Sequence, residues 1–268
     1  RSLWYLTASQ GSKSGGFLLG SLADREDTPE NDAEVKDESL LSYELGFKAD
    51  LTDNFRLNAA AYYYDYEDMQ TQVWVKRGSL NFLELRNAHD VRAYGVELEA
   101  LLRLGSRTTL NAALSVARSE IKDFCGSDFE TNPDGSTGCL ANDPSGHDMT
   151  QTPQTQWAAN LSHDIPVRTG TINANFTYSY VGAMEYSLFY LDESLAPHYD
   201  RMDFNLGYRD AQNRFQVIAS VKNLADSERP TVSGEDGPQY GPIKWAYYSY
   251  PRLYGLEIIG PFEPTGIA

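Results

Sequence analysis

The chain has 268 residues, a net charge of −16, a pI near 4.6, a mean hydropathy of −0.48 and 12% aromatic residues, 18 of them Tyr. No run approaches the roughly 18 apolar residues that a membrane-crossing helix needs, so a helical membrane protein is excluded. An acidic chain without a basic stripe is likewise a poor fit to nucleic-acid phosphates. Its length suits one large β domain or two smaller ones. It opens on RSLWYLTAS, already strand-like and without a charged n-region or apolar h-region. The expectation is that the N-terminal part of a longer protein is missing; a removed targeting signal is the other reading.

Strict alternation of apolar and hydrophilic residues then recurs along the chain, the mark of strands with two unlike faces. After SLWYLTAS comes LLSYELGFKADL, which sets Leu41, Tyr43, Leu45, Phe47 and Ala49 against Ser42, Glu44, Gly46 and Lys48. FRLNAAAYYYDYED follows, with an extension through TQVWV. The hairpin RAYGVELEALLRLGSRTTLNAALSVARS sets Tyr94, Val96, Leu98, Leu110, Leu114 and Val116 opposite Gly95, Glu97, Glu99, Asn111 and Ser115. QWAANLSHD, TINANFTYSY, RMDFNLGYRD, RFQVIASVK and RLYGLEIIGPF repeat the pattern, which predicts about ten strands and no comparable helix. Tyr43, Leu98, Leu114, Phe176, Phe204 and Val217 are expected on the apolar side. Glu44, Glu97, Asn175, Asp203 and Gln216 are expected on the hydrophilic side.

The connections suggest what each side meets. Short turns, LTDN, LGSRT, IPVRTG and DAQN, alternate with long polar segments at Gln10 to Glu38, Glu67 to Asp90, Lys122 to Thr150, Gly182 to Pro197 and Ala225 to Tyr248. Tight turns at one end and long loops at the other are the pattern of an outer-membrane barrel, with lipid outside and a hydrated lumen inside. Aromatic residues near strand ends, Trp4 and Tyr5, Tyr62 to Tyr66, Tyr178 to Tyr190 and Trp245 to Tyr250, read as interfacial girdles. A soluble β-sandwich binding module also alternates, but it leaves the one-ended loops unexplained.

Three histidines precede aspartates, at His89, His147 and His163, and a His/Asp set raises a hydrolase. The strand order puts His147 and His163 at opposite ends of a strand, which argues against a shared site, so no catalytic residue, metal site or cofactor is expected. A self-contained ten-stranded outer-membrane enzyme, protease-like, is the alternative from another class. Cys125 and Cys139 lie fourteen positions apart in a Gly/Asp/Pro-rich loop; a disulfide in an oxidising compartment is the expectation and free thiols the other reading. GSKSGG lacks the order and following helix of a phosphate loop. The acidic segment 21–38 reads as a solvated loop, or as a lid or divalent-cation contact among lipopolysaccharides.

Several stretches carry a resemblance. LWYLTASQGSKSGGF is similar to a strand ending in a GFKSGGF-like turn, with Ser12 where Phe is usual, and NAHDVRAYGVELEA to NAG-x-x-R-x-x-G-x-E-x-E, with His89 replacing a small residue. LLSYELGFKADLTDNFRLNAAAYYYDYEDMQ, VKNLAD with its NL-x-D, and YSYPRLYGLEI complete the set. In this order they resemble the C-terminal half of the barrel of a TonB-dependent outer-membrane receptor. That resemblance implies an all-β antiparallel transmembrane barrel, of which residues 1–268 would be about the last ten of 22 strands, without the plug that contacts periplasmic TonB. It implies active transport of a scarce nutrient, with a ferric siderophore as the default and cobalamin, haem or oligosaccharides as alternatives. It also makes Phe262 the candidate assembly signal. Tyr186, Phe189 and Tyr190 are the candidate ligand contacts, able to stack on a planar cargo, with an interfacial girdle as the competing reading.

Overall fold

The computed structural model describes residues 1–17, 34–77, 80–124, 144–186, 194–235 and 244–260. The strands are β1 (Ser2–Lys13), β2 (Gly16–Phe17), β3 (Glu34–Val35), β4 (Glu38–Thr52), β5 (Phe55–Arg77), β6 (Leu80–Leu104), β7 (Thr108–Phe124), β8 (Thr155–Val167), β9 (Gly170–Val181), β10 (Met184–Glu185), β11 (Leu195–Ala196), β12 (Tyr199–Asp210), β13 (Gln216–Lys222), β14 (Pro230–Glu235), β15 (Lys244–Tyr248) and β16 (Leu253–Ile259). Ten form one antiparallel sheet in the order β1-β4-β5-β6-β7-β8-β9-β12-β13-β16. The ribbons β2–β3, β10–β11 and β14–β15 sit within the long connections. A single sheet replaces the two packed layers of a sandwich. β1 and β16 are its two ends and do not pair with each other, so the ten strands do not close on themselves as a self-contained barrel would.

Tight turns at residues 53–54, 105–107, 168–169 and 211–214 all lie along one edge, as expected. Local chemistry sets them. Gly105 takes φ 75° and Asn213 φ 56°, the left-handed region that Gly and Asn enter most readily. Asp210 accepts from the backbone N–H of Phe215 at 3.0 Å and from Arg214 Nε at 2.8 Å, which folds the β12–β13 turn around one carboxylate.

Cross-strand register keeps like faces together. Tyr43, Tyr63 and Tyr94 form one row across β4, β5 and β6, and Leu45, Ala61, Val96 and Val116 form another. Leu98 pairs with Leu114, and Phe204 with Phe176. This side carries bare apolar groups, such as Leu45 at 50% and Leu256 at 71% exposure, a continuous apolar surface that water does not favour. The opposite side is concave: Glu44, Glu97, Ser115 and Gln156, from four strands, line one hollow. Asn175 and Gln216 line another.

Two expectations need correction. Glu67 to Asp90 is not a loop, because pairing continues from Met69↔His89 and Gln70↔Asn87 to Arg77↔Leu80. A bulge between Tyr66 and Met69, with Asp68 at φ 53°, interrupts the two-residue period and disguises a strand as a polar connection. Tyr5, Tyr62 and Tyr64 do not join an outer girdle either. They turn into the main hollow, since the register that sends Trp4 and Tyr63 outward must send their neighbours inward.

The buried apolar cluster sits at the long-loop end. Val91, Ile121 and Phe124 pack with Tyr66, Met69 and Met149. The end of the β7–β8 connection folds back to reach them, with Ile121 N–H donating to His147 O at 2.9 Å, Gly146 N–H to Ile121 O at 2.7 Å and Met149 N–H to Ser119 Oγ at 2.8 Å.

Candidate functional site

The hollow of the concave wall, about 640 Å³, is built from alternate residues of successive strands. Gly46 and Gly95 make it possible. A Cβ on Gly46 would lie 1.9 Å from Tyr5 Cζ, and one on Gly95 would lie 2.6 Å from Tyr62 Oη, so each tyrosine ring occupies the side-chain space of a glycine on the next strand. Tyr5 Oη then donates to Glu44 Oε1 at 2.6 Å while Lys48 Nζ stands 5.6 Å from the Tyr5 ring centre. Tyr62 and Tyr64 stack at 4.8 Å. Asn58 Nδ2 donates to Glu99 Oε2 at 3.2 Å. Further along the wall, Asn160 Nδ2 donates to Thr177 Oγ1 at 2.7 Å and Asn173 Nδ2 to Asp164 Oδ1 at 2.8 Å. The result is a hydrophilic ladder of neutral amides and compensated charges. Such a surface suits contact with water.

Two asparagines tie loops to this wall. Asn87 accepts from Lys36 N–H at 2.7 Å and donates to Lys36 O at 3.0 Å and Asp68 O at 2.8 Å, fixing the end of the first long connection. Gln70, 8% exposed, assists by donating to Lys36 O at 3.0 Å. Asn223, at φ 54°, donates to Ser227 O and Tyr250 O and accepts from Ser227 N–H, while Asp226 Oδ1 accepts from Arg252 N–H at 2.7 Å. The NA and NL-x-D motifs are thus loop clamps. Their spacing in the sequence marks them, but their partners lie too far along the chain to be read from it.

Of the expected ligand contacts, Tyr186 follows β10 and donates from Oη to Pro230 O at 3.3 Å, beside the foot of the β14–β15 ribbon. Phe189, Tyr190, Cys125, Cys139, Phe262 and most of the acidic segment lie outside the described residues. His163 bonds Thr108 Oγ1 through Nδ1 at 2.7 Å at the tight-turn edge, whereas His147 packs at the long-loop end, so the two stand apart as the strand order predicts. Among the described residues no group of three His, Cys, Asp or Glu side chains is placed to hold a metal. Among the described residues no helix is long and apolar enough to cross a membrane.

Arg229, beside Tyr199 at the long-loop end of β12, escaped the sequence reading. It is 5% exposed, its guanidinium carbon stands 5.8 Å from the Tyr199 ring centre, and Nε and Nη2 meet no acceptor among the described residues.

No curated protein matches the chain in sequence. Solved structures do match in fold: the ferric yersiniabactin uptake receptor FyuA from Yersinia pestis, with TM-score 0.72 and 24% identity, and the siderophore receptor PiuA from Acinetobacter baumannii, with TM-score 0.70 and 16% identity. The copper transporter OprC matches with TM-score 0.66 and 15% identity. Each match covers 96% of this chain but only 34%, 33% and 36% of the other, so the chain spans about a third of their length. The family model described as TonB dependent receptor-like, beta-barrel matches residues 2–224. With its two-faced ten-stranded sheet, one edge of tight turns and clamped long loops, the chain belongs to the TonB-dependent receptor β-barrel family.

Proposed function

We propose that this chain forms the C-terminal part of the wall of an outer-membrane receptor that imports an iron chelate, most simply a ferric siderophore, with energy delivered by periplasmic TonB through a plug. The observation that carries this reading is the division of one sheet into an apolar convex face and a hydrogen-bonded hydrophilic concave face. Lipid would satisfy the first and the hydrated lumen the second; each inner strand of the sheet is paired on both sides, as spanning strands require. The family is one of transport receptors rather than enzymes. Similarity in fold to FyuA and PiuA supports iron as the cargo. Lipopolysaccharide would meet the long-loop end of the convex face.

Deletion of the gene should slow growth under iron depletion and lower uptake of radiolabelled ferric chelates, with both restored by the intact gene. Growth and uptake unchanged at every iron level would remove the iron assignment. In the restored strain, changing Tyr186, Phe189 and Tyr190 together to Ala should weaken chelate binding without lowering receptor abundance; equal binding would remove them as ligand contacts.

A further inference from the structure

Arg229 presents an unfinished interaction. Nε and Nη2 are the two nitrogens along one edge of the guanidinium, spaced to hold the two oxygens of a carboxylate side by side. Both are buried without an acceptor among the described residues, a state that costs free energy for a charged group. Three acids, Asp203, Asp226 and Glu185, hold other groups. Asp203 Oδ1 accepts from Arg201 Nε at 2.9 Å and from Asn223 N–H at 2.8 Å. Asp226 holds Arg252 N–H, and Glu185 accepts from Ser194 Oγ and from Tyr186 N–H. Asp200 adjoins Tyr199 in sequence, but strand alternation sends it to the opposite face, with Tyr178 and Tyr180.

Position gives the vacancy its meaning. Tyr199 opens β12 at the long-loop end and shares the concave face with Arg201, Asp203 and Asn205. Its ring supports the guanidinium, and the Arg229 backbone is pinned by Ser249, whose N–H donates to Arg229 O at 2.8 Å and whose Oγ accepts from Arg229 N–H at 3.2 Å. Tyr186 joins the next residue, Pro230. A rigidly held cation with one free two-pronged edge therefore sits at the mouth of the lumen, beside a candidate cargo aromatic.

We infer that Arg229 is a subsite for a carboxylate, or another oxyanion with two coplanar oxygens, carried by the cargo. This deepens the iron-chelate reading and rests on it: the cargo is an anionic, carboxylate-bearing chelate rather than a neutral or cationic one.

The test uses the receptor at its full encoded length in cells without other chelate receptors. Cells are offered radiolabelled iron as citrate, as a neutral trihydroxamate and as carboxylate-bearing mixed chelates, with uptake normalised to receptor recovered from the outer membrane. The intact receptor should transport a carboxylate-bearing complex. Arg229→Gln should weaken its apparent affinity on the order of 10- to 100-fold, the loss expected for hydrogen bonds to a charged group. Arg229→Lys, which keeps the charge but not the two-pronged edge, should lose less, and it carries the comparison alone should Arg229→Gln fail to assemble. Uptake of no iron complex by the intact receptor refutes the iron reading itself. Uptake confined to neutral complexes, or equal affinity in the variants and the intact receptor, overturns the subsite and leaves the iron reading standing.

Discussion

Asn223 donates from Nδ2 to the carbonyl oxygen of Tyr250 over 3.1 Å, joining with one side chain two residues 27 positions apart. The same amide exchanges two further bonds with Ser227, both 2.9 Å, and the residue is 2% exposed. Asn223→Ala should destabilise this end of the barrel by about 2–3 kcal/mol, because it leaves buried backbone groups unpaired and removes a side chain suited to φ > 0. Limited proteolysis should then cut the β13–β16 connection faster while the sheet stays intact. Unchanged cleavage would show that the clamp does not hold the loop.

The tyrosine–glycine pairs of the inner wall make a second prediction. Gly95→Ala should be more harmful than Gly46→Ala. The new Cβ at Gly95 meets the Val116 backbone oxygen at 2.7 Å as well as Tyr62, whereas at Gly46 its three nearest neighbours all belong to the movable Tyr5 ring and hydroxyl. Overpacking of this kind costs about 1–3 kcal/mol at Gly95. Tyr5→Ala should rescue Gly46→Ala, and Tyr62→Ala should rescue Gly95→Ala only in part. Urea-induced unfolding in detergent, followed by heat-modifiable migration, would measure the order.

Sidedness can be tested with one charge placed on each face. Phe176→Lys adds an ammonium to the convex surface, at a cost of about 2–4 kcal/mol near the bilayer midplane. Ser115→Lys adds it to the hollow, where water solvates it. Outer-membrane abundance should fall for the first and hold for the second. The reverse order would invert the assignment of faces.

At the tight-turn edge, acid should loosen the β12–β13 turn. Asp210 is 4% exposed, and burial alone would raise its carboxyl value. Arg214, through its side chain and N–H, and the Phe215 N–H together hold the value below the usual carboxylate range. A lowered value in the folded protein means that the contribution is complete above the unfolded value of about 3.9 and is lost as pH falls through the folded value. Asp210→Asn should flatten the dependence of unfolding on pH below about 4 without changing its shape near neutrality. An identical acid limb in the variant would exclude this carboxylate.

Alternation alone determined that Glu44 opposes Tyr43, Glu97 opposes Leu98 and Asn175 opposes Phe176, because successive strand side chains point oppositely whatever the neighbours are. The turn residues likewise announced where the chain reverses, since left-handed backbone favours Gly and Asn locally. Tertiary structure decided what depends on distant partners. How the inward Tyr5 and Tyr62 rings pack depended on glycines 41 and 33 residues away, which leave space for them. The bulge at Asp68 hid a strand by shifting its period, and only the pairing of β5 with β6 revealed it. Arg229 looked like any loop cation until folding placed it against Tyr199, with its free edge sealed from water; burial and the absence of an acceptor are properties of the assembled site, not of the residue type.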